Sequence, residues 1–181
     1  MATRTDLRPG ERIPMSWEDY QAFTVEGWGE YIDGAYVHMN SATQPHQRIC
    51  RELLKAIDRA LPAGVDVLCD WGWKPSADLF VPDLLVFDRT DEDAHLTALP
   101  HLAVEVLSSD TAADTTRKHR KYAQAGLPRY WIIDPDGPQI TVCQLQGQHL
   151  VAVAHHQPGA TATLDLGAAT LTLDPGDLLT T

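Results

Sequence analysis

The chain has only three cysteines, Cys50, Cys69 and Cys143, an odd and widely spaced set. That excludes a disulfide framework and a cysteine-rich zinc set, and it fits reduced thiols in a cytoplasmic protein. No run approaches the roughly 18 apolar residues that a membrane span needs, so no membrane partner is expected. The first fourteen residues, MATRTDLRPGERIP, are polar and carry no apolar core, so no secretory signal is expected either. Positive charge is scarce: 14 Lys and Arg stand against 25 Asp and Glu, a formal net charge of -11. Such a chain repels a polyanion at long range and is a poor nonspecific nucleic-acid binder. A carboxylate metal site adds acidic residues by design, however, and a bound divalent ion reverses the local field.

What is present suits one globular domain. Apolar residues make up 44% of 181 positions, enough for a single core and cramped for two. Residues 1–14 read as an N-terminal arm, and 15–181 as one domain. Ser16 and Asp19 resemble a capping box before a short helix over about 16–25. Asp33-Gly34, between two β-prone runs, is a tight-turn signal. Ile49, Leu53, Ile57 and Leu61 repeat every four residues and predict an amphipathic helix from Pro45, placed at its first position, to about Leu61. Strands are predicted over 65–71, 79–87 and 102–107. A helix then runs from Ser108, Ser109 or Asp110 to about Ala125, stopped by Gly126. Strands follow at 129–134, 139–145 and 149–155, with one or two weaker ones in 161–180. The order predicts an α/β fold, a mixed β-sheet flanked by helices with a C-terminal β meander. The stretch 102–133 would place its two strands parallel.

Two carboxylates stand out by position. Asp83 lies in the apolar run Val81-Pro-Asp-Leu-Leu-Val-Phe87, and Glu105 in Leu102-Ala-Val-Glu-Val-Leu107. An ionised carboxylate within a buried strand is costly unless a cation or hydrogen bonds compensate. Pro82 removes a ladder hydrogen bond, so the sheet should be interrupted there. Two acids on neighbouring strands can converge on one Mg²⁺, a hard ion that favours oxygen ligands. Taken singly, each reads more readily as a capping or edge residue, and only the two together bring the readings level. Asp114, Lys118 and Tyr122 form one helical stripe that could lean over the Glu105 strand, or be a surface ion pair. Arg117, Arg120 and Lys121 make the best candidate for a phosphate-facing surface. His46, one turn before Ile49 and Cys50, is a candidate general base or a satisfied, partly buried histidine. Glu30 is either a further carboxylate of the site or a strand-edge residue.

These residues also carry a resemblance. Val81-Pro-Asp-Leu-Leu-Val86, His101-Leu-Ala-Val-Glu-Val-Leu-Ser-Ser109, and Asp114 through Lys118 and Tyr122 to Tyr130-Trp-Ile-Ile-Asp134 resemble the Uma-two-type restriction endonuclease family. That family is assigned to the PD-(D/E)XK nuclease superfamily. The resemblance spans about residues 14–155 and is most specific over 100–134. It implies a restriction-endonuclease-like core, Mg²⁺ (or Mn²⁺) and hydrolysis of DNA phosphodiester bonds, with duplex DNA as partner and a homodimer to address two strands. Asp83 and Glu105 match the metal carboxylates, Lys118 a helix-borne lysine, His46 an upstream histidine, and Glu30 an upstream acid. One departure is plain: the D/E-X-K pattern would put lysine at position 107, which is Leu107. A catalytically silent binding or regulatory module, or a hydrolase of small phosphate esters, is the alternative expectation.

Overall fold

The computed structural model describes residues 7–24, 29–39, 41–108 and 112–179, with residues 112–114 as backbone alone. Its centre is a six-stranded sheet of β4 (Val65–Cys69), β5 (Leu84–Asp88), β6 (Leu102–Val106), β7 (Arg129–Asp134), β8 (Gln139–Gln146) and β9 (His149–His156), in that spatial order. All neighbours are antiparallel except β6 and β7, which are joined through helix α3 (Ala112–Gln124) and run parallel, as the strand-helix-strand pattern predicts. The fold is therefore the expected mixed α/β arrangement. The first hairpin of the C-terminal meander, β8–β9, extends the main sheet. The weaker tail strands, β10 (Ala162–Asp165) and β11 (Thr170–Leu173), pair with each other instead.

Both faces of the central strands are covered, which is why their sequences read as unbroken apolar runs and do not alternate. Leu84, Val86, Val104, Val106, Trp131 and Ile133 pack beneath helix α2 (Gln44–Ala60) and the β10–β11 hairpin. Leu85, Phe87, Ala103, Tyr130 and Cys143 pack on the opposite side against Tyr122, Ala123 and Leu127. Helix α2 buries Ile49, Leu53 and Ile57, the residues its four-residue repeat marks. Thr43 caps it by accepting the His46 N–H, which puts Pro45 at its second position and not its first. Helix α3 ends as expected, with Gly126 at φ +83° and the Leu127 N–H bonded to the Tyr122 carbonyl.

A small sheet of β1 (Arg12–Pro14), β3 (Ala35–His38) and β2 (Gly29–Ile32) flanks this body. Asp33 and Gly34 both have positive φ (51° and 69°), the geometry of the tight hairpin turn their sequence signals. Residues 1–14 are thus not wholly an arm: Arg12–Pro14 pairs with β3, and Pro14 is tolerated because it ends an edge strand. The capped helix α1 (Trp17–Ala22) is shorter than the predicted 16–25, although Ser16 does accept the Asp19 N–H. Gly29 lies so close to β3 that a Cβ there would collide with the Val37 carbonyl oxygen and the Tyr36 ring. Gly29→Ala should therefore lower stability by about 1–3 kcal/mol, read as a drop in melting temperature.

No helix among the described residues is long and apolar enough to cross a membrane.

Candidate active site

The stretch 79–87 is not one strand. Leu79 and Phe80 make isolated bridges to Tyr31 and Trp73, and β5 begins only at Leu84. Pro82 interrupts the ladder, so Asp83 sits just before the strand with its carboxylate turned to the neighbouring strand end. Asp83 Oδ2 accepts the Val106 N–H at 2.7 Å, which ties it to the end of β6. Its Oδ1 lies 3.2 Å from His46 Nε2, at the start of α2.

Glu105 projects from β6 towards α3. Its two oxygens lie 3.1 and 3.2 Å from Lys118 Nζ, and the Tyr122 hydroxyl donates to Oε1 at 2.7 Å. The helical stripe Lys118–Tyr122 therefore does lean over the Glu105 strand, while the Asp114 side chain lies outside the described residues. The ring of Tyr122 is fixed edge-on against Phe80 and Tyr130. Glu30 lies within β2 and is fully buried. Its Oε1 is 3.0 Å from Lys118 Nζ and accepts the Val81 N–H at 2.7 Å. Three distant segments thus meet at one ammonium group.

The electrostatics follow from crowding. Burial pushes the Glu105 carboxyl up from 4.5 to about 8; Lys118 opposes this, and the charges of Asp83 and Glu30 reinforce it. Burial pushes the His46 imidazole down, but its hydrogen bond to Asp83 and the charges of Asp83 and Asp70 raise it on balance. Burial and the Glu105 charge hold the Tyr122 phenol well above its usual range, so it remains a donor.

The cluster opens into a cleft of about 1040 Å³, mouth included, lined in part by His46, Asp70, Asp83, Glu105, Lys118 and Tyr130. Oxygen donors from Asp83 and Glu105, with Glu30 behind Lys118, are the ligand type that hard divalent cations favour. Lys118 also supplies, from the helix, the positive charge beside Glu105 that Leu107, just past the end of β6, cannot supply. Of the expected basic surface Arg117, Arg120 and Lys121, one member is engaged elsewhere. Lys121 pairs with Asp33 and, at 2.9 Å, with Asp78, bracing α3 against the small sheet. Sequence reasoning did not single out Asp70, at the end of β4 in a left-handed conformation (φ 52°), or Cys50. Cys50 Sγ lies 3.6 Å from His46 Nδ1, and the four-residue spacing of the two on α2 is the signal that could have revealed it.

Comparison with known proteins agrees with this architecture. The profile of the Uma2 family, described as "Putative restriction endonuclease", matches residues 17–176. A solved structure described as a "putative nuclease belonging to DUF820" from Anabaena variabilis ATCC 29413 superposes with a TM-score of 0.76. It is 21% identical and the match covers 92% of this chain and 98% of that one. At that identity the likeness speaks to the fold. No curated protein matches significantly.

Proposed function

This chain belongs to the Uma2 family, and from that premise we propose that it is a divalent-metal-dependent endonuclease that hydrolyses DNA phosphodiester bonds. The observation that carries the reading is the charge of the cluster. Glu30, Asp83 and Glu105, with Asp70 on the same cleft, bring more negative charge together than Lys118 and a protonated His46 offset. That excess of negative charge is what a divalent ion such as Mg²⁺ or Mn²⁺ would offset. Without such an ion the cluster lowers its charge by protonation, which is what the raised Glu105 carboxyl and the His46–Asp83 pair express.

Asp83 and Glu105 would hold the ion, with Glu30 as a third carboxylate. When bound, it would supply positive charge to a phosphoryl oxygen and acidify water for attack. The chain's own groups do the rest. Tyr122 orients Glu105 through its hydroxyl hydrogen bond. Lys118 steadies charge on the phosphate or positions the attacking water. His46 Nε2, which faces Asp83 Oδ1, would in its neutral form accept a proton from that water. Duplex cutting would call for a homodimer, since two sites must address two strands.

The pH dependence has a defined sign. Glu105 is raised in the folded chain, so its contribution to stability is fully present below 4.5 and is lost as pH rises through about 8. Melting temperature in EDTA should fall across that window, and Mg²⁺ should restore it at the alkaline end. Mg²⁺ affinity should rise over the same range, because cation and proton compete for one carboxylate.

The net charge of -11 favours a second reading, hydrolysis of a small phosphate ester or nucleotide. Incubating supercoiled plasmid and nucleotides separately with Mg²⁺ or Mn²⁺ decides between them. Nicked or linear plasmid supports the endonuclease. Turnover of nucleotides alone supports the second reading, and turnover of neither leaves a silent binding module.

A further inference from the structure

Cys50 follows His46 by one helical turn on α2, so both side chains project from one face towards the start of β5. Its Sγ lies 3.6 Å from His46 Nδ1, and His46 Nε2 lies 3.2 Å from Asp83 Oδ1. One donor atom from each of the three lies within 4.8 Å of the other two. A tetrahedral ion about 2.3 Å from sulfur and about 2.0–2.1 Å from nitrogen holds those two atoms about 3.6 Å apart. Sγ and Nδ1 already stand at that spacing, while Asp83 Oδ1 faces the other ring nitrogen, Nε2, so an ion on Sγ and Nδ1 takes up Oδ1 only as the imidazole or the Asp83 carboxylate turns. Asp83 Oδ2 is engaged by the Val106 N–H, so Oδ1 is the oxygen turned to this set. Beside the cleft, which His46 and Asp83 line, this set therefore offers nitrogen, sulfur and one carboxylate oxygen, where Glu30, Asp83 and Glu105 offer oxygen alone.

We propose that His46, Cys50 and Asp83 form a second cation site, for a thiophilic ion of the zinc class, adjoining the carboxylate centre and sharing Asp83 with it. Sulfur and imidazole donors select such ions over Mg²⁺. Burial and the neighbouring Asp83 push the Cys50 thiol up, so the site without metal holds a neutral thiol. As the sulfur–metal bond forms, the S–H bond breaks and its proton leaves to solvent, with no change in oxidation state. The three cysteines form no set among themselves, as their spacing predicts; in this proposal one of them completes a mixed site. The functional consequence rests on the nuclease reading. An ion here withdraws Asp83 from the hard cation and His46 from water, so zinc inhibits cleavage.

The test is a titration of the metal-free chain with Co²⁺ in excess Mg²⁺, followed by absorbance. The expected result is a thiolate-to-cobalt charge-transfer band that zinc discharges, present in Cys143→Ala and absent in Cys50→Ala. A wild-type chain without that band, or a band that persists in Cys50→Ala, overturns the proposal. Thermal melting establishes that each variant is folded. Should Cys50→Ala not fold, Asp83→Ala replaces it and should weaken Co²⁺ binding by about 10–100-fold or more; unchanged affinity counts against the site. The band does not depend on turnover. A band in a chain that cuts no DNA leaves this site standing and overturns the nuclease reading. Mg²⁺-dependent cutting with no band does the reverse. In a cutting chain, zinc should inhibit the wild type and spare Cys50→Ala, and equal inhibition of both would contradict the shared-ligand geometry.

Discussion

Replacing Lys118 with methionine should destabilise the metal-free chain by about 3–5 kcal/mol at pH 8, the usual cost of removing one partner from a buried ion pair. Lys118 is 2% exposed, and it faces Glu30, which is fully buried, and Glu105. The methylene stem of methionine fills much of the same space, so the loss is one of charge and not of packing. Two carboxylates would remain without their shared cation. Because they can take up protons instead, the cost should shrink as pH falls towards 5. Chemical denaturation at both pH values measures this. A variant as stable as wild type at pH 8 would mean that the three segments do not depend on Lys118 for their convergence.

Glu105→Gln should slow metal-dependent plasmid cleavage by about 10²–10³-fold, the scale of losing one preorganised electrostatic group, while leaving the fold intact. The amide keeps an oxygen for the Tyr122 hydroxyl and the shape of the side chain. It removes a carboxylate that burial pushes up to about 8, so the metal-free variant should melt no lower than wild type at alkaline pH. Loss of cleavage together with unchanged or improved melting separates a catalytic position from a structural one. If both fell together, Glu105 would be a structural residue.

The frame of this molecule was legible because local periodicity and burial agree. Helix α2 shows in the repeat of Ile49, Leu53 and Ile57, and β5 and β6 show as apolar runs because both of their faces are covered. Asp83 and Glu105 stood out for the same reason, as charges where the pattern calls for apolar side chains. What was hidden depends on partners far away in sequence. Glu30 lies in an ordinary hairpin strand, and its burial makes sense only beside Lys118. Lys121 looked like part of a phosphate-facing surface until Asp33 and Asp78 came to it through tertiary packing. Strand β1 carries three residues, one of them Pro14, too few for any period to show. In sequence Cys50 is one of three scattered thiols, and Asp83 comes to it and to His46 only through tertiary packing.

Glu30, Asp83 and Glu105, converging around Lys118, are proposed to form a divalent-cation site. Titration of the metal-free chain with Mn²⁺, followed by calorimetry beside Glu105→Gln at pH 8, tests this without reliance on any substrate. Saturable Mn²⁺ binding by the wild type, lost or at least about tenfold weaker in the variant, is the result the excess of negative charge predicts. Absence of binding by the wild type, or equal binding by both chains, would contradict it.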